Sequence, residues 1–324
     1  MRPRRIGILG YEGVTAINLV GPVECFTSAA RVDDKARELP AYEVVLVAAG
    51  ERHFATDSGL KFTADVALAD AREIDTFIIA GGSALRSGNL ADEIASSLRA
   101  RAGEFRRIVS ICSGIYAVAP TGLLDGRTVT THWRFAGDVS QRFPALRMNA
   151  RELFVKDGKF YTSGGATAGI DLAIALIQED FGDEVALSVA RTMLAYRRRD
   201  GDQEQYADPP RVNGIETEKI GELAHWVERN LDSRLSLDDL ARRSGLTSAK
   251  INERFKEGLG TTPAAFVKRL RLDECRRRLA RGESVEEVAK FVRFGSKYYF
   301  EREFRWQFGI GPEEYRFRFA AAEP

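Results

Sequence analysis

The sequence predicts two domains of different class: an α/β domain with a doubly wound sheet over residues 1–196, and an all-α domain with two helix-turn-helix units over residues 215–324. Three observations carry this. Short, wholly apolar runs alternate with amphipathic stretches through the first part of the chain, as in a sheet covered by helices on both faces. One pattern occurs twice between Leu235 and Arg316, with about 50 residues between copies. Between these regions, residues 197–214 are polar, contain Pro209-Pro210 and read as a linker. A chain of 324 residues exceeds one typical domain and suits two.

The elements follow in order. Arg5–Leu9 is a short apolar strand, and Asn18–Arg31 is an amphipathic helix. Tyr42–Ala49 is a continuous apolar strand. His53–Ala67 alternates and turns at Asp57-Ser58-Gly59, which predicts a hairpin. Thr76–Ala80 is a buried strand ending at Gly81-Gly82-Ser83, and Leu90–Ala102 is helical. Arg107–Ile111 is another buried strand, running into Cys112-Ser113-Gly114 and a helix to about Leu123. Thr128–Thr131 is a strand ending at His132. Leu153–Val155 and Phe160–Thr162 flank Asp157-Gly158 as a hairpin, and Ala166–Glu179 and Asp183–Tyr196 are helices.

Ligands of open α/β sheets bind outside the carboxyl ends of the strands. Four signals converge on that edge. A strand-turn-helix elbow presents Cys112 beside a helix N-terminus, where a thiol is acidified. Gly81-Gly82, followed by Ser83, ends a neighbouring strand and could offer its backbone N–H groups to an oxyanion. His132 ends the next strand, with Thr131 and Trp133 as pocket wall. Glu24 lies early in the first helix, placed to hold the thiol. The expected ligand set is Glu24, Gly81, Gly82, Ser83, Cys112, Ser113 and His132. Cys112, His132 and Glu24 are also the candidates for catalysis. A nucleophile needs a positioned base and an orienting acid. Three readings of Cys112 stay open: nucleophile, pocket residue, or inert buried thiol. Cys25, Cys275, Trp306 and the phenylalanine stripe of the second repeat are expected in the core.

In the first repeat, Leu237, Leu240 and Ala241 share one helical face, Ser236 is an N-cap, and Asp238 and Asp239 suit the helix dipole. Gly245 supplies the turn. The next helix, Ser248–Leu259, buries Ile251 and Phe255. Its candidate contact residues are Ser248, Ala249, Lys250, Asn252, Glu253, Arg254 and Lys256. In the second repeat Val285, Val288 and Ala289 face inward and Gly295 lies in the turn. Phe300, Phe304 and Phe308 form the packed stripe, leaving Ser296, Lys297, Tyr298, Tyr299, Arg302 and Arg305 outward. Side chains at the start of such a helix reach base edges of duplex DNA.

Leu235–Arg316 closely resembles the AraC/XylS-type DNA-binding domain. Arg254-Phe255-Lys256, Gly260 and Pro263 carry the likeness in the first unit, and Phe294-Gly295-Ser296, Tyr299-Phe300, Phe304-Arg305, Gly309, Pro312 and Tyr315-Arg316 in the second. Arg293 departs from the family, which usually has glycine there. The resemblance implies a linker helix over Pro263–Ala280 joining two readers of consecutive major-groove segments. Residues Arg5–Tyr196 resemble the ThiJ/PfpI superfamily, with its class I glutamine amidotransferase-like fold. The carriers are Asn18–Glu24, Ile78–Gly82, Ile111–Gly114, Gly122–Trp133 and Thr162–Ala173. The order of the two domains is similar to that of GlxA-like transcriptional regulators. Superfamily members include proteases, isocyanide hydratases and glyoxalases, so the fold alone does not settle chemistry. Many PfpI-type enzymes place histidine directly after the cysteine; here Ser113 stands there. Hydratase-like relatives carry aspartate on the first helix, where this chain has Asn18, which cannot act as a base.

The resemblance implies a sequence-specific transcriptional regulator, not an enzyme, responding to a small-molecule effector. The alternative is a cysteine-dependent enzyme, isocyanide-hydratase-like or amide-cleaving. Expected partners are promoter or operator DNA, the effector, RNA polymerase and a second copy in a homodimer, with no cofactor, metal or membrane. From Arg211 onward 23 Lys and Arg face 19 Asp and Glu, against 25 and 28 before it, so the basic excess lies with the repeats. Cys25, Cys112 and Cys275 are three and far apart, which argues against a disulfide framework or zinc site and for the cytoplasm. The basic Met1–Arg5 precedes too short an apolar segment for a signal peptide.

Overall fold

The computed structural model describes residues 2–32, 35–87, 89–195, 203–206, 218–259, 261–292, 294 and 296–320. The chain divides into two compact units between Gln203 and Glu204, inside the expected linker.

The first unit is built on seven strands: β1 (Arg4–Gly10), β2 (Tyr42–Ala48), β3 (Val66–Ala67), β4 (Thr76–Ile79), β5 (Arg107–Ile111), β6 (Phe154–Asp157) and β7 (Phe160–Ser163). Their order across the sheet is β6-β7-β5-β4-β1-β2-β3. All neighbours are parallel except the β6–β7 hairpin, which turns at Gly158. The central strands are buried along their whole length, which is why they read as unbroken apolar runs. Ile8 pairs with Leu46 on one side and Ile78 on the other, fixing the register that brings the strand ends to one edge.

Helices α1 (Ala16–Thr27), α2 (Leu90–Arg101), the single turn α3 (Ile115–Val118), α4 (Trp133–Arg142) and α5 (Thr167–Thr192) accompany the sheet. Helix α5 joins the two expected helices across a break at Gly182, whose φ of 83° interrupts the helical backbone. Three expectations need correction. Helix α1 stops at Thr27, and Ala30–Val32 instead pairs antiparallel with Glu38–Pro40. The helix after Cys112 does not run to Leu123; Pro120 stands in a 3-10 turn after Val118. The strand before His132 is only Thr128–Val129, which pairs with Arg147–Met148 outside the main sheet. The helix after it, α4, is additional to the expected elements.

The N-terminal edge of the sheet is tied by a part-buried ion-pair network. Arg107 clamps Asp180 at 2.7 Å and Glu179 at 3.1 Å, while Arg106 spans Asp75 at 2.7 Å and Asp180 at 3.0 Å.

The second unit holds α6 (Glu218–Arg229), α7 (Leu237–Ser244), α8 (Ser248–Leu259), α9 (Pro263–Ala280), α10 (Val285–Phe291), α11 (Lys297–Phe308) and α12 (Pro312–Phe319). Both α7 and α10 open on a full capping box, Ser236 with Asp239 and Ser284 with Glu287. Gly245 ends α7 in the left-handed conformation, as expected. Two separate cores form. Ile251, Phe255, Phe266, Val267 and Leu270 belong to the first; Leu272, Cys275, Leu279, Phe300, Phe304 and Phe308 belong to the second. Helix α9 therefore supplies its first half to one core and its second half to the other. Gln205 is buried in this unit, its carbonyl accepting from Arg276 and Tyr315. Arg293 and Gly295 lie outside the described residues.

Candidate functional site

The elbow forms as expected. Strand β5 ends at Ile111, Cys112 adopts a φ of +56°, and the chain turns at once into a 3-10 turn and α3. A side chain with a Cβ resists that backbone at a cost of about 1–3 kcal/mol, so the surrounding packing must hold it. Gly81 provides part of that hold. A Cβ there would lie 2.6 Å from the Ile111 carbonyl oxygen and 2.7 Å from the Ser113 nitrogen. The strand end can approach the elbow only as glycine.

This packing changes the reading of Gly82, Ser83 and Ser113. The Ser113 hydroxyl donates to the Gly82 carbonyl at 2.9 Å and accepts from the Gly82 N–H at 2.9 Å. The Ser83 N–H donates to the Gly13 carbonyl at 3.1 Å, and the Ser83 side chain is exposed. The expected oxyanion donor of Gly82, and the N–H of the ligand candidate Ser83, are thus used to stitch the sheet edge, and Ser113 is buried in that stitch.

Glu24 also needs correction. It is exposed on α1, whose inner face carries Asn18, Gly21, Pro22 and Cys25. Asn18 is the α1 residue that reaches the thiol. It is 1% exposed, donates to the Gly81 carbonyl at 3.2 Å and accepts from the Ala166 N–H at 2.7 Å. Burial pushes the Cys112 thiol above its ordinary pKa, although hydrogen bonds from Ser113 and Asn18 act the other way. Tyr11 sits nearby and donates to the Ala80 carbonyl at 2.7 Å. Burial, then the neighbouring Cys112 and Asp57, raise its pKa well above the usual range.

His132 is the N-cap of α4. Its Nδ1 accepts from the Arg134 N–H at 3.2 Å, and its ring lies against Trp133 and Phe135. Burial and the Arg134 cation lower its pKa, so it is neutral at pH 7. Among the described residues no hydrogen bond joins His132 to Cys112. Thr131 makes the link instead, its hydroxyl donating to the Cys112 carbonyl at 2.8 Å. Among the described residues the thiol is met by the Asn18 amide and by Ser113, and no hydrogen-bonded base–acid pair reaches it.

In the second unit the exposed face of α11 presents Lys297, Tyr298, Tyr299, Arg302 and Arg305, and its N-cap Ser296 accepts from the Tyr299 N–H. On α8, Ala249, Glu253 and Lys256 are exposed, while Ser248, Lys250, Asn252 and Arg254 are half-buried. Lys250 is engaged with Glu253 and Arg254 with Glu257. Trp306 is not in the core: it is 61% exposed on α11, with the Lys268 ammonium 5.5 Å from its ring centroid. Lys268, on α9, also binds Glu303 of α11 at 2.8 Å and so ties α11 to the shared helix.

An α/β domain with an elbow cysteine, followed by paired helix-turn-helix units on one helix, defines a class of DNA-binding regulator. The DJ-1/PfpI family matches residues 4–179, and a helix-turn-helix domain family matches residues 240–318. The HTH-type transcriptional regulator GbdR of Pseudomonas aeruginosa is 30% identical over 315 residues, 97% of this chain and 84% of its own. The HTH-type transcriptional regulator GlxA of Rhizobium meliloti is 29% identical over 320 residues, 97% and 96% of the two chains. An isonitrile hydratase of Pseudomonas putida is 29% identical over 182 residues, 56% of this chain and 74% of its own. The chain belongs to the DJ-1/PfpI family and, within it, to the transcriptional regulators in which that domain precedes an AraC-type helix-turn-helix domain. It is a DNA-binding transcriptional regulator.

Proposed function

We propose that the first domain senses a small metabolite at the Cys112 elbow and that its occupancy biases DNA binding by the repeats. The observation that carries this reading is the left-handed backbone of Cys112, held in place beside the buried Asn18 amide rather than a base. Asn18, Cys112, Thr131, His132 and Trp133 are the residues we assign to the effector site. Lys297, Tyr298, Arg302 and Arg305 on α11, with Ser248, Ala249, Asn252 and Lys256 on α8, are those we assign to DNA. A homodimer is the assembly we expect, symmetric pairs being the commonest, with RNA polymerase as a further partner.

The test is thermal unfolding of the full chain against a metabolite library, followed by gel shifts on DNA upstream of its own locus. A true effector raises the unfolding temperature and changes the gel shift, and prior alkylation of Cys112 abolishes both effects. A metabolite whose effect survives alkylation moves the site elsewhere.

The similarity to an isonitrile hydratase and the elbow itself favour a second reading, a cysteine-dependent hydratase or amidase. Turnover of isocyanides and small amides by the wild type, lost in Cys112→Ser, supports it. No turnover in either protein removes it.

A further inference from the structure

The residues between the two domains read as solvated linker, yet Gln203 is 4% exposed and its carboxamide is fully used. Oε1 accepts from the Trp133 N–H at 2.9 Å, at the start of α4. Nε2 donates to the Glu152 carbonyl at 2.8 Å, the Thr131 carbonyl at 2.9 Å and the Thr130 hydroxyl at 3.1 Å. Its own N–H donates to the Arg151 carbonyl at 2.8 Å. Without this side chain, backbone groups of Thr131, Trp133 and Glu152 lose buried partners.

The dipeptide Gly164-Gly165 separates this amide from the elbow. A Cβ on Gly164 would lie 2.6 Å from Gln203 Oε1 and 2.9 Å from Nε2. A Cβ on Gly165 would lie 2.2 Å from Cys112 Cβ and 2.9 Å from Sγ. Ala166, next in line, is held by Asn18 at 2.7 Å. Cys112 and Gln203 thus press on adjacent links of one glycine strap. They also share Thr131, whose hydroxyl holds the Cys112 carbonyl and whose carbonyl holds Gln203. A group added to Sγ on the strap side therefore presses on Gly165 and, through Gly164, on Gln203.

We propose that Gln203 is a positioning residue for the Cys112 site and, reciprocally, that filling the site expels Gln203 from its socket between Trp133 and Glu152. Gln203 is the last residue of the first unit, so its docking fixes where the chain leaves that unit. The proposal deepens the sensing reading, which it rests on for its purpose. The linkage itself requires neither effector nor DNA, because coupling between two sites acts equally in both directions.

Two measurements on the full chain test it. The first is the rate of Cys112 alkylation by iodoacetamide, followed by peptide mass spectrometry with the buried Cys25 and Cys275 as internal controls. Gln203→Ala should raise that rate roughly tenfold, about one buried hydrogen bond's worth. Gln203→Glu keeps the shape and the Trp133 contact but sets a carboxylate oxygen against the Thr131 and Glu152 carbonyls. It should do the same and serves should the alanine variant fold poorly. The second uses the wild type alone: after alkylation of Cys112, hydrogen exchange of the Trp133 amide, whose N–H Gln203 accepts, should accelerate several-fold while the central strands stay protected. Unchanged alkylation in a folded variant, or unchanged exchange after alkylation, overturns the linkage. Gln203 could prove unlinked while a metabolite still binds, or the elbow could bind none while the linkage holds, so the two failures are distinguishable.

Discussion

Replacing Arg302 by alanine should weaken DNA binding while leaving the fold almost untouched. The guanidinium is exposed on α11, lies 2.9 Å from the carboxylate of the adjacent Glu303 and sits 5.0 Å from the Tyr299 ring centroid. An ion pair at that exposure contributes about 0–1 kcal/mol. Glu303 keeps its second partner, Lys268, at 2.8 Å, so the substitution strands no charge. The cost to folding should stay within about 0.5 kcal/mol. If Arg302 reads a base edge, affinity for the cognate site falls by about 1–3 kcal/mol, roughly 5- to 150-fold, with little change on unrelated DNA. If it meets a phosphate, affinity falls on every sequence and the slope of log affinity against log salt shrinks by about 0.9. Fluorescence anisotropy on DNA from its own upstream region, at several salt concentrations and beside a thermal melt, separates these outcomes. The same affinity and the same slope as wild type would falsify the assignment of this face of α11 to DNA.

Further outcomes follow from the packing. Gly81→Ala should destabilise the first domain by about 1–3 kcal/mol or more, because the new methyl meets backbone at Ile111 and Ser113 rather than a yielding side chain. Gly137→Ala, in the middle of α4 with nothing within 4 Å, should instead stabilise by about 0.5–1 kcal/mol; chemical denaturation of the pair checks both, and equal effects refute the elbow packing. Burial opposes the charge of Asp75, but hydrogen bonds from Arg106 and Thr76 outweigh it and hold its carboxyl below the usual carboxylate range. That contribution is present above the unfolded pKa of about 4 and is lost as pH falls through the folded value, so Asp75→Asn should be less stable at pH 7 and the gap should close in acid. A gap that stays constant from neutral pH down to about pH 3 contradicts this. Ser284→Ala breaks the α10 capping box and should cost about 1 kcal/mol, read by thermal melting of the full chain; an unshifted melt refutes that value.

Much of this architecture was legible because local rules and the global fold agree. Ile78–Gly82 and Ile111–Gly114 combine buried-strand runs with turn chemistry, and the repeat carries its capping boxes and glycine stop in plain order. The misplacements are matters of phase and competition. Glu24 sits one position from Cys25, and the inner face of α1 runs through Asn18, Pro22 and Cys25 at helical spacing; following that phase would have turned Glu24 outward. Trp306 lies between Phe304 and Phe308, two positions from each, so a stripe of period four leaves it on the other side however apolar it is. The β-branched run Thr128–Thr131 predicts a strand ending at His132; capping of α4 decides otherwise. Gln203 had no signal at all. A polar residue in a polar stretch is buried here because two chain segments distant in sequence, at Thr131–Trp133 and at Glu152, present backbone groups to it at one point.

Helix α9 serves two cores with one continuous backbone, and this makes the two readers behave as teeth cut on a single shaft. Their separation and angular offset are set by the residue count between Leu270 and Leu272, not by any adjustable hinge. Adding one residue there would rotate everything downstream by about 100° and advance it by about 1.5 Å. Surface changes can therefore alter either tooth by itself, whereas the spacing between the two is inherited almost as a constant.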